Sequence, residues 1–213
     1  MSEPTLIVVP VKTLDRAKSR LGPILSSTDR QGLMLAMLRD VTTKIEDTTP
    51  ETPLLLLSRD GKVRDYAYDR GYGYLEETHS GLNGSIGDAT VWAIEKGYHR
   101  MLVIHSDVPL LTGRDVEQLI FPKKGSHVIL APSKDGGTNA LLRQPPDIIP
   151  TSFGRNSYLN HMKLAKKKGC LLEVYRSPTV EFDIDTLKDL VEFISRKSDT
   201  YTSQFISQKI LIK

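Results

Sequence analysis

The chain has 213 residues, an apolar fraction of 39% and a formal net charge of +3. That is enough apolar material for one buried core at this length, and too mild a charge for the dense basic stripe of a nucleic-acid binder. The single cysteine, Cys170, excludes an internal disulfide and a cysteine-rich metal site, and reads as a small buried hydrophobe. No basic-then-apolar leader precedes the first strand, and no apolar run approaches the ~20 residues needed to cross a bilayer. A cytoplasmic protein with no membrane partner is expected.

Apolar, β-branched runs alternate with helical patterns along the chain. Residues 5–11 and 54–57 read as strands. Between them residues 27–47 form a helix capped by Ser27 or Thr28, with Leu33, Met37, Leu38, Val41 and Ile45 on its apolar face. A short polar helix over 61–70 ends at Gly71 before a strand at 72–75. Residues 85–96 are helical, with Val91, Trp92 and Ile94 available for burial, and residues 101–104 form another strand. After Asp107 the order changes: 127–132 and 139–143 read as an antiparallel pair, followed by a helix over 155–168 and late strands at 171–176 and 180–182. Residues 186–197 make a capped amphipathic helix with Leu187, Leu190, Val191 and Ile194 on one face.

This alternation predicts an α/β domain with a mixed, mainly parallel sheet and helices on both faces. One domain, residues 1–198, is expected. A tail over 199–213, carrying Phe205, Ile206, Ile210, Leu211 and Ile212, is expected to pack on that domain or on a partner subunit, with a homodimer preferred.

Four segments carry chemistry. Lys12, Arg16, Lys18 and Arg20 fall within nine residues beyond the first strand, at the sheet edge where ligands of open α/β folds bind. They suit a triphosphate, or equally a solvated loop; no Walker or dinucleotide-type glycine pattern is present. The segment Gly81-Leu82-Asn83 leads into a helix: its glycine permits close backbone approach, and Asn83 either reads a base edge or ribose, or caps the helix. Asp107 follows a central strand and suits a magnesium ion, because Thr112 is better placed as the next helix cap. In Val180-Glu181-Phe182-Asp183-Ile184-Asp185, alternation would place three carboxylates on one face, which a cation would reconcile. Asp183 ranks first, since Asp185 or Thr186 caps the last helix. Between these, the segments around Thr138 and around Gly154 and Ser157 offer hydroxyls and backbone amides to an anion. The first is equally a hairpin turn, and the second opens a helix.

In order along the chain stand Pro-x-Lys-x(5)-Ala-Lys-Ser-Arg-Leu, Gly-Leu-Asn, Asp-x-Pro-Leu-Leu, Asp-Gly-Gly-Thr-Asn-Ala-Leu, Phe-Gly-x-x-Ser-x-x-x-His and Asp-Ile-Asp-Thr, from Pro10 to Thr186. The combination resembles the archaeal-type 2-phospho-L-lactate guanylyltransferases of coenzyme F-420 biosynthesis. The resemblance implies a glycosyltransferase-A-like nucleotidyltransferase fold. It also implies condensation of GTP with a small phosphorylated acid, (2S)-2-phospholactate, to lactyl-2-diphospho-5'-guanosine and pyrophosphate. Phosphoenolpyruvate is the rival acceptor, and a non-catalytic nucleotide- or RNA-binding module the rival class. It implies Mg²⁺ held by Asp107, Asp183 and Asp185, and triphosphate contacts from Lys12, Lys18 and Arg20. Gly81, Leu82 and Asn83 would lie at the nucleoside, and Thr138, Gly154 and Ser157 at the acceptor phosphate. His105-Ser106 departs from the small residues that usually precede this aspartate, and His105 is expected to support the site rather than react.

Overall fold

A computed structural model describes residues 4–79, 81–122 and 125–209. Seven strands form one sheet: β1 (Thr5–Pro10), β2 (Leu54–Ser58), β3 (Gly73–Glu76), β4 (Arg100–Ile104), β5 (Val128–Pro132), β6 (Thr138–Arg143) and β7 (Leu172–Val174). Their order is β3-β2-β1-β4-β6-β5-β7. β1 pairs in parallel with β2 and β4, Val8 lying opposite both Leu55 and Val103. β6 runs antiparallel to β4 and to β5. The sheet is thus mixed and mainly parallel, with its order reversing at β1. Such a reversal opens a crevice beyond the carboxyl ends of the strands.

Alternate residues of each strand feed two cores. Ile7, Val9, Leu54, Leu56, Leu102 and Ile104 face one, beside α1 (Ser27–Thr48) and α4 (Gly113–Ile120). Leu6, Val8, Leu55, Leu57, Met101 and Val103 face the other, beside α3 (Leu82–Glu95) and α5 (Ser157–Lys167). The predicted positions of α1 are buried, although its cap is Ser26, one residue earlier than expected, whose Oγ accepts from the Asp29 amide at 3.1 Å.

Three sequence expectations change. α3 begins at Leu82 and buries its small residues, Ile86, Ala89 and Ala93, against the sheet, leaving Val91 and Ile94 exposed. Small residues win that face because the helix lies close to the strands. In α6 (Leu187–Ser195) only Leu190 of the four predicted positions is buried, joined by Phe193, while Leu187, Val191 and Ile194 face outward. Residues 180–182 form no strand. Their backbone is committed elsewhere: Asn139 Nδ2 donates to Val180 O at 2.8 Å, and the Lys134 amide to Glu181 O at 3.0 Å. Cys170 is half-buried.

Part of the tail forms α7 (Tyr201–Lys209) on α1. Asp40 receives the amides of Tyr201 and Thr202, at 2.7 and 2.9 Å, and caps the helix from across the interface. Phe205 lies over Gly32, where an added Cβ would stand 2.5 Å from the ring. Ile210, Leu211 and Ile212 lie outside the described residues.

Asp115 is the hub behind the site. Its carboxylate accepts from the Thr112 amide and hydroxyl, from Tyr175 Oη at 2.7 Å and from Thr179 Oγ1 at 2.7 Å, tying α4 to the segment that leads to the acidic loop. Asp115→Ala is expected to cost about 2–4 kcal/mol, measured by urea denaturation. A loss below about 1 kcal/mol would show that other contacts hold this junction.

Candidate active site

Beyond the strand ends lies a cleft of about 830 Å³, within the usual size of a small-molecule site. Each segment singled out from the sequence reaches it. The loop after β1 brings Lys12, Lys18 and Arg20; the exit of β4 brings His105 and Asp107; the start of β6 brings Thr138; the start of α5 brings Gly154 and Ser157; and the loop before α6 brings Asp183 and Asp185.

At its centre one carboxylate oxygen each from Asp107, Asp183 and Asp185 lie within 4.8 Å of one another. Ser106 Oγ, donating to Pro10 O at 3.0 Å, pins the β4 exit to the β1 exit. The acidic loop is strapped by the Ile184 amide to Asp107 O, 3.3 Å, and by Lys134, whose ammonium meets Asp183 O at 2.7 Å and Asp189 Oδ1 at 2.6 Å. Glu181 stays outside and pairs with Arg176 at 3.3 Å. Thr186, not Asp185, caps α6, so Asp185 keeps its carboxylate for the cluster.

Lys18 differs from expectation. Instead of facing open cleft, its ammonium stands 2.7 Å from both Asp107 Oδ2 and Asp185 Oδ1, with its side chain 5% exposed. Two buried carboxylates attract the nearest cation strongly enough to hold Lys18 in the left-handed region, φ 50°. Burial raises the Asp107 carboxyl, but Lys18 and its neighbours prevail and bring it to about 2. Asp183 lacks such a partner: burial and then Asp107 push it up to about 6. Arg20 is 70% exposed and 3.9 Å from Asp185, and Lys12 lines the same wall.

The donor set fits a divalent cation. Asp107 Oδ1 and Asp183 Oδ1 are buried without any hydrogen-bond partner, and hard oxygen ligands of this kind suit Mg²⁺.

Toward β6, Thr138 and Ser157 are almost fully buried and their hydroxyl oxygens lie 3.0 Å apart. The turn that presents Thr138 is tight: the Gly137 amide donates to Ser133 Oγ at 2.8 Å, and a Cβ on Gly137 would fall 2.6 Å from that oxygen. Gly154 sits at φ +124°, which only glycine adopts without strain.

Toward β3, Gly81 is the N-cap of α3 and Leu82 its first residue, both on the cleft wall. The expected role of Asn83 is corrected. Its amide does not face the cleft; it donates to Phe153 O at 3.0 Å and accepts from the Phe153 amide at 2.7 Å. Both ends of the amide are used, so Asn83 joins the nucleoside-side loop to the hydroxyl-side loop. Sequence reasoning also missed Arg59, Glu77 and His79, which line this end. Arg59 and Glu77 follow directly on β2 and β3, so the strand-end rule applied to every strand would have found them.

His105 stacks on Phe153 with ring centroids 5.3 Å apart, and its buried Nε2 has no partner. Burial lowers its basicity, as it does for His161, which falls to about 4 through burial and then Arg143 and His105.

With this geometry in place, the comparisons are informative. The family model for "Guanylyl transferase CofC like" matches residues 5–213. This chain belongs to that family. It is 32% identical to the 2-phospho-L-lactate guanylyltransferase of Methanothermobacter thermautotrophicus, over 95% of this chain and 89% of the relative. It is 33% identical to the 3-phospho-D-glycerate guanylyltransferase of Colwellia psychrerythraea, over 94% and 95%. It is 35% identical to the phosphoenolpyruvate guanylyltransferase of Sphaerobacter thermophilus, over 88% and 91%. Among solved structures, a putative nucleotide-diphospho-sugar transferase from Desulfovibrio desulfuricans superposes with a TM-score of 0.80 at 16% identity, over 98% of this chain and 95% of that one. The fold is that of the nucleotidyltransferases. No helix among the described residues is long and apolar enough to cross a membrane.

Two outcomes follow for this site. Asp107→Asn and Asp183→Asn each remove a charge but little volume, and should lower kcat by on the order of 10²-fold or more at saturating Mg²⁺ while the melting temperature moves little. Wild-type kcat in either variant would remove that carboxylate from the cluster's function. The second concerns pH. Unfolded, His161 takes up a proton near 6.5; folded, only near about 4. Its contribution is therefore complete above pH 6.5 and lost as pH falls toward 4, by up to about 3 kcal/mol. Urea titrations at pH 7 and pH 4.5 should show a smaller acid-induced loss in His161→Asn than in wild type; equal losses would assign the effect to other groups.

Proposed function

We propose that this chain transfers the guanylyl group of GTP to the phosphate of (2S)-2-phospholactate. The products are lactyl-2-diphospho-5'-guanosine and pyrophosphate, in a step of coenzyme F-420 biosynthesis. The observation that carries this reading is the sharing of one cleft by an acidic cluster, a cationic loop and a pair of buried hydroxyls, in a chain of the CofC-like family.

An acceptor phosphate oxygen attacks the α-phosphorus. A new P–O bond forms, the α,β-bridging P–O bond breaks, and its electron pair leaves with pyrophosphate. The nucleophile is already an anion at neutral pH, so no side chain has to remove a proton. The residues act by positioning and by electrostatics. Thr138, Ser157 and the backbone at Gly154 hold the acceptor phosphate. Lys12 and Arg20, on the opposite wall, hold the triphosphate and meet the charge that builds on the leaving pyrophosphate. Gly81 and Leu82 back the nucleoside, with Asn83 fixing that loop to Phe153. Asp107, Asp183 and Asp185 would hold Mg²⁺, which when bound neutralises phosphate charge and acts as a Lewis acid. Lys18 shares two of those carboxylates, so it keeps the cluster together as well as adding positive charge beside the α-phosphate.

Phosphoenolpyruvate is a second reading, favoured by the 35% identity to the Sphaerobacter enzyme. It carries the same phosphate and carboxylate and differs around C2. Offering GTP, ATP, CTP and UTP with each acceptor, and weighing the products by mass spectrometry, tests both. GTP with phospholactate is expected to give the main product. A dominant phosphoenolpyruvate adduct would move the assignment to the second reading, and no pyrophosphate release with either acceptor would refute guanylyl transfer to this class of acid.

A further inference from the structure

His161, the last residue of the Phe-Gly-x-x-Ser-x-x-x-His run, has no contact with the cleft and no role in the reaction above. It lies in α5, fully buried, behind the two hydroxyls. Its Nε2 is 2.8 Å from the Ser152 backbone nitrogen, and its Nδ1 is 3.1 Å from Thr138 Oγ1. A backbone N–H can only donate, so Nε2 must present its lone pair to Ser152. The single proton of the neutral ring then sits on Nδ1 and is donated to Thr138. Ser157 Oγ donates to the same Thr138 oxygen across 3.0 Å.

Both acceptor sites of Thr138 Oγ1 are thereby filled from behind, and its own proton is what remains for the cleft it lines. In the opposite tautomer Thr138 would give its proton to Nδ1. The pair would then face a ligand with lone pairs only. The amide of Ser152 therefore decides, through the imidazole, whether this wall attracts or repels an anion.

We propose that His161 is a positioning residue that makes Thr138 an obligate hydrogen-bond donor, so that this end of the cleft accepts an oxyanion, a phosphate or carboxylate oxygen, and disfavours groups that must themselves donate. The inference rests on the guanylyl-transfer reading for the identity of the ligand, but not for the polarity of the wall.

Paired variants separate this role from simple packing. His161→Gln keeps an acceptor within reach of Ser152 but brings no donor to Thr138. His161→Asn keeps an N–H at the branch nearest Thr138 and loses the acceptor for Ser152. Steady-state kinetics should show the acceptor KM raised about tenfold in His161→Gln, the loss of one hydrogen bond to a charged group, with the KM for GTP within about twofold. His161→Asn should recover most of that loss. In a Thr138→Val background His161→Gln should add nothing, because its effect passes through the missing hydroxyl. An unchanged acceptor KM in His161→Gln, parallel rises in both KM values, or independent multiplication with Thr138→Val would each overturn the proposal. Should the wild type transfer guanylyl to neither acid, the reaction assignment fails separately. Calorimetric titration of the same proteins with inorganic phosphate then decides: weaker binding in His161→Gln, restored in His161→Asn, supports the donor role, and equal binding in all of them overturns it.

Discussion

Everything around the cleft is arranged to keep three carboxylates closer together than their charges favour. At separations under 4.8 Å in a partly buried setting, like charges cost several kcal/mol unless cations intervene. Lys18 answers for Asp107 and Asp185, and Lys134 for the Asp183 backbone and for Asp189 behind it. These two lysines dictate local backbone form. The loop after β1 turns left-handed at Lys18 to aim the ammonium inward, and the turn before β6 takes its path from Lys134. The segment before α6 forgoes strand pairing so that its carboxylates point to the centre. Even so, two buried oxygens remain unpartnered. That residual demand is what a divalent cation would meet, so the cluster serves as a ligand set more than as a stabilising contact.

The sheet explains why the hydroxyls meet the acids. β4 delivers Asp107 at its carboxyl end. β6 runs antiparallel to β4, with Ala140 opposite Ile104, so the beginning of β6 lies at that same edge. Thr138, at the start of one strand, and Asp107, beyond the end of the other, therefore share one rim. A third parallel strand in that position would have presented its far end instead. The Asn83–Phe153 clamp performs the matching task across the cleft, coupling the start of α3 to the loop before α5. The two substrate ends are thus held at a fixed relation by one side chain and one strand reversal.

The parts legible in the sequence are those governed by local chemistry. Strand and helix alternation predicted the mixed sheet, because buried β-branched runs and turn residues signal themselves. Segments at strand ends converged on the cleft because that convergence is a property of the topology. What escaped was set by distant contacts. Asp183 and Asp185 do converge with Asp107, yet by strapping from Lys134 and Asn139 rather than by strand alternation. Lys18 was expected on phosphates because nothing in its neighbours announces a carboxylate 89 residues away. The buried face of α3 was misjudged because large apolar residues were counted, whereas close packing on the sheet selected Ala89 and Ala93. Asn83 looked like a reader of bases, since an amide beside a glycine carries no sign that both its ends are already bound.

The distribution of charge along the cleft gives the chemistry its direction. Lys12, Arg16, Lys18, Arg20 and Arg59 line the nucleotide side, whereas the lining residues around Thr138, Asn139, Phe153, Gly154 and Ser157 are neutral. A phosphate held by hydroxyls and amides keeps most of its electron density, because neutral donors polarise an oxyanion less than an ammonium or guanidinium does. A cation there would bind the acceptor more tightly and blunt it as a nucleophile. On the other side the same cations are an advantage, since negative charge accumulates on the departing pyrophosphate as the bond breaks. Strong donors are thus spent where charge grows during the reaction, and weak ones where it must remain available. That asymmetry makes the Thr138 wall a place where hydrogen-bond polarity matters more than net charge, and explains why a buried neutral imidazole is suited to stand behind it.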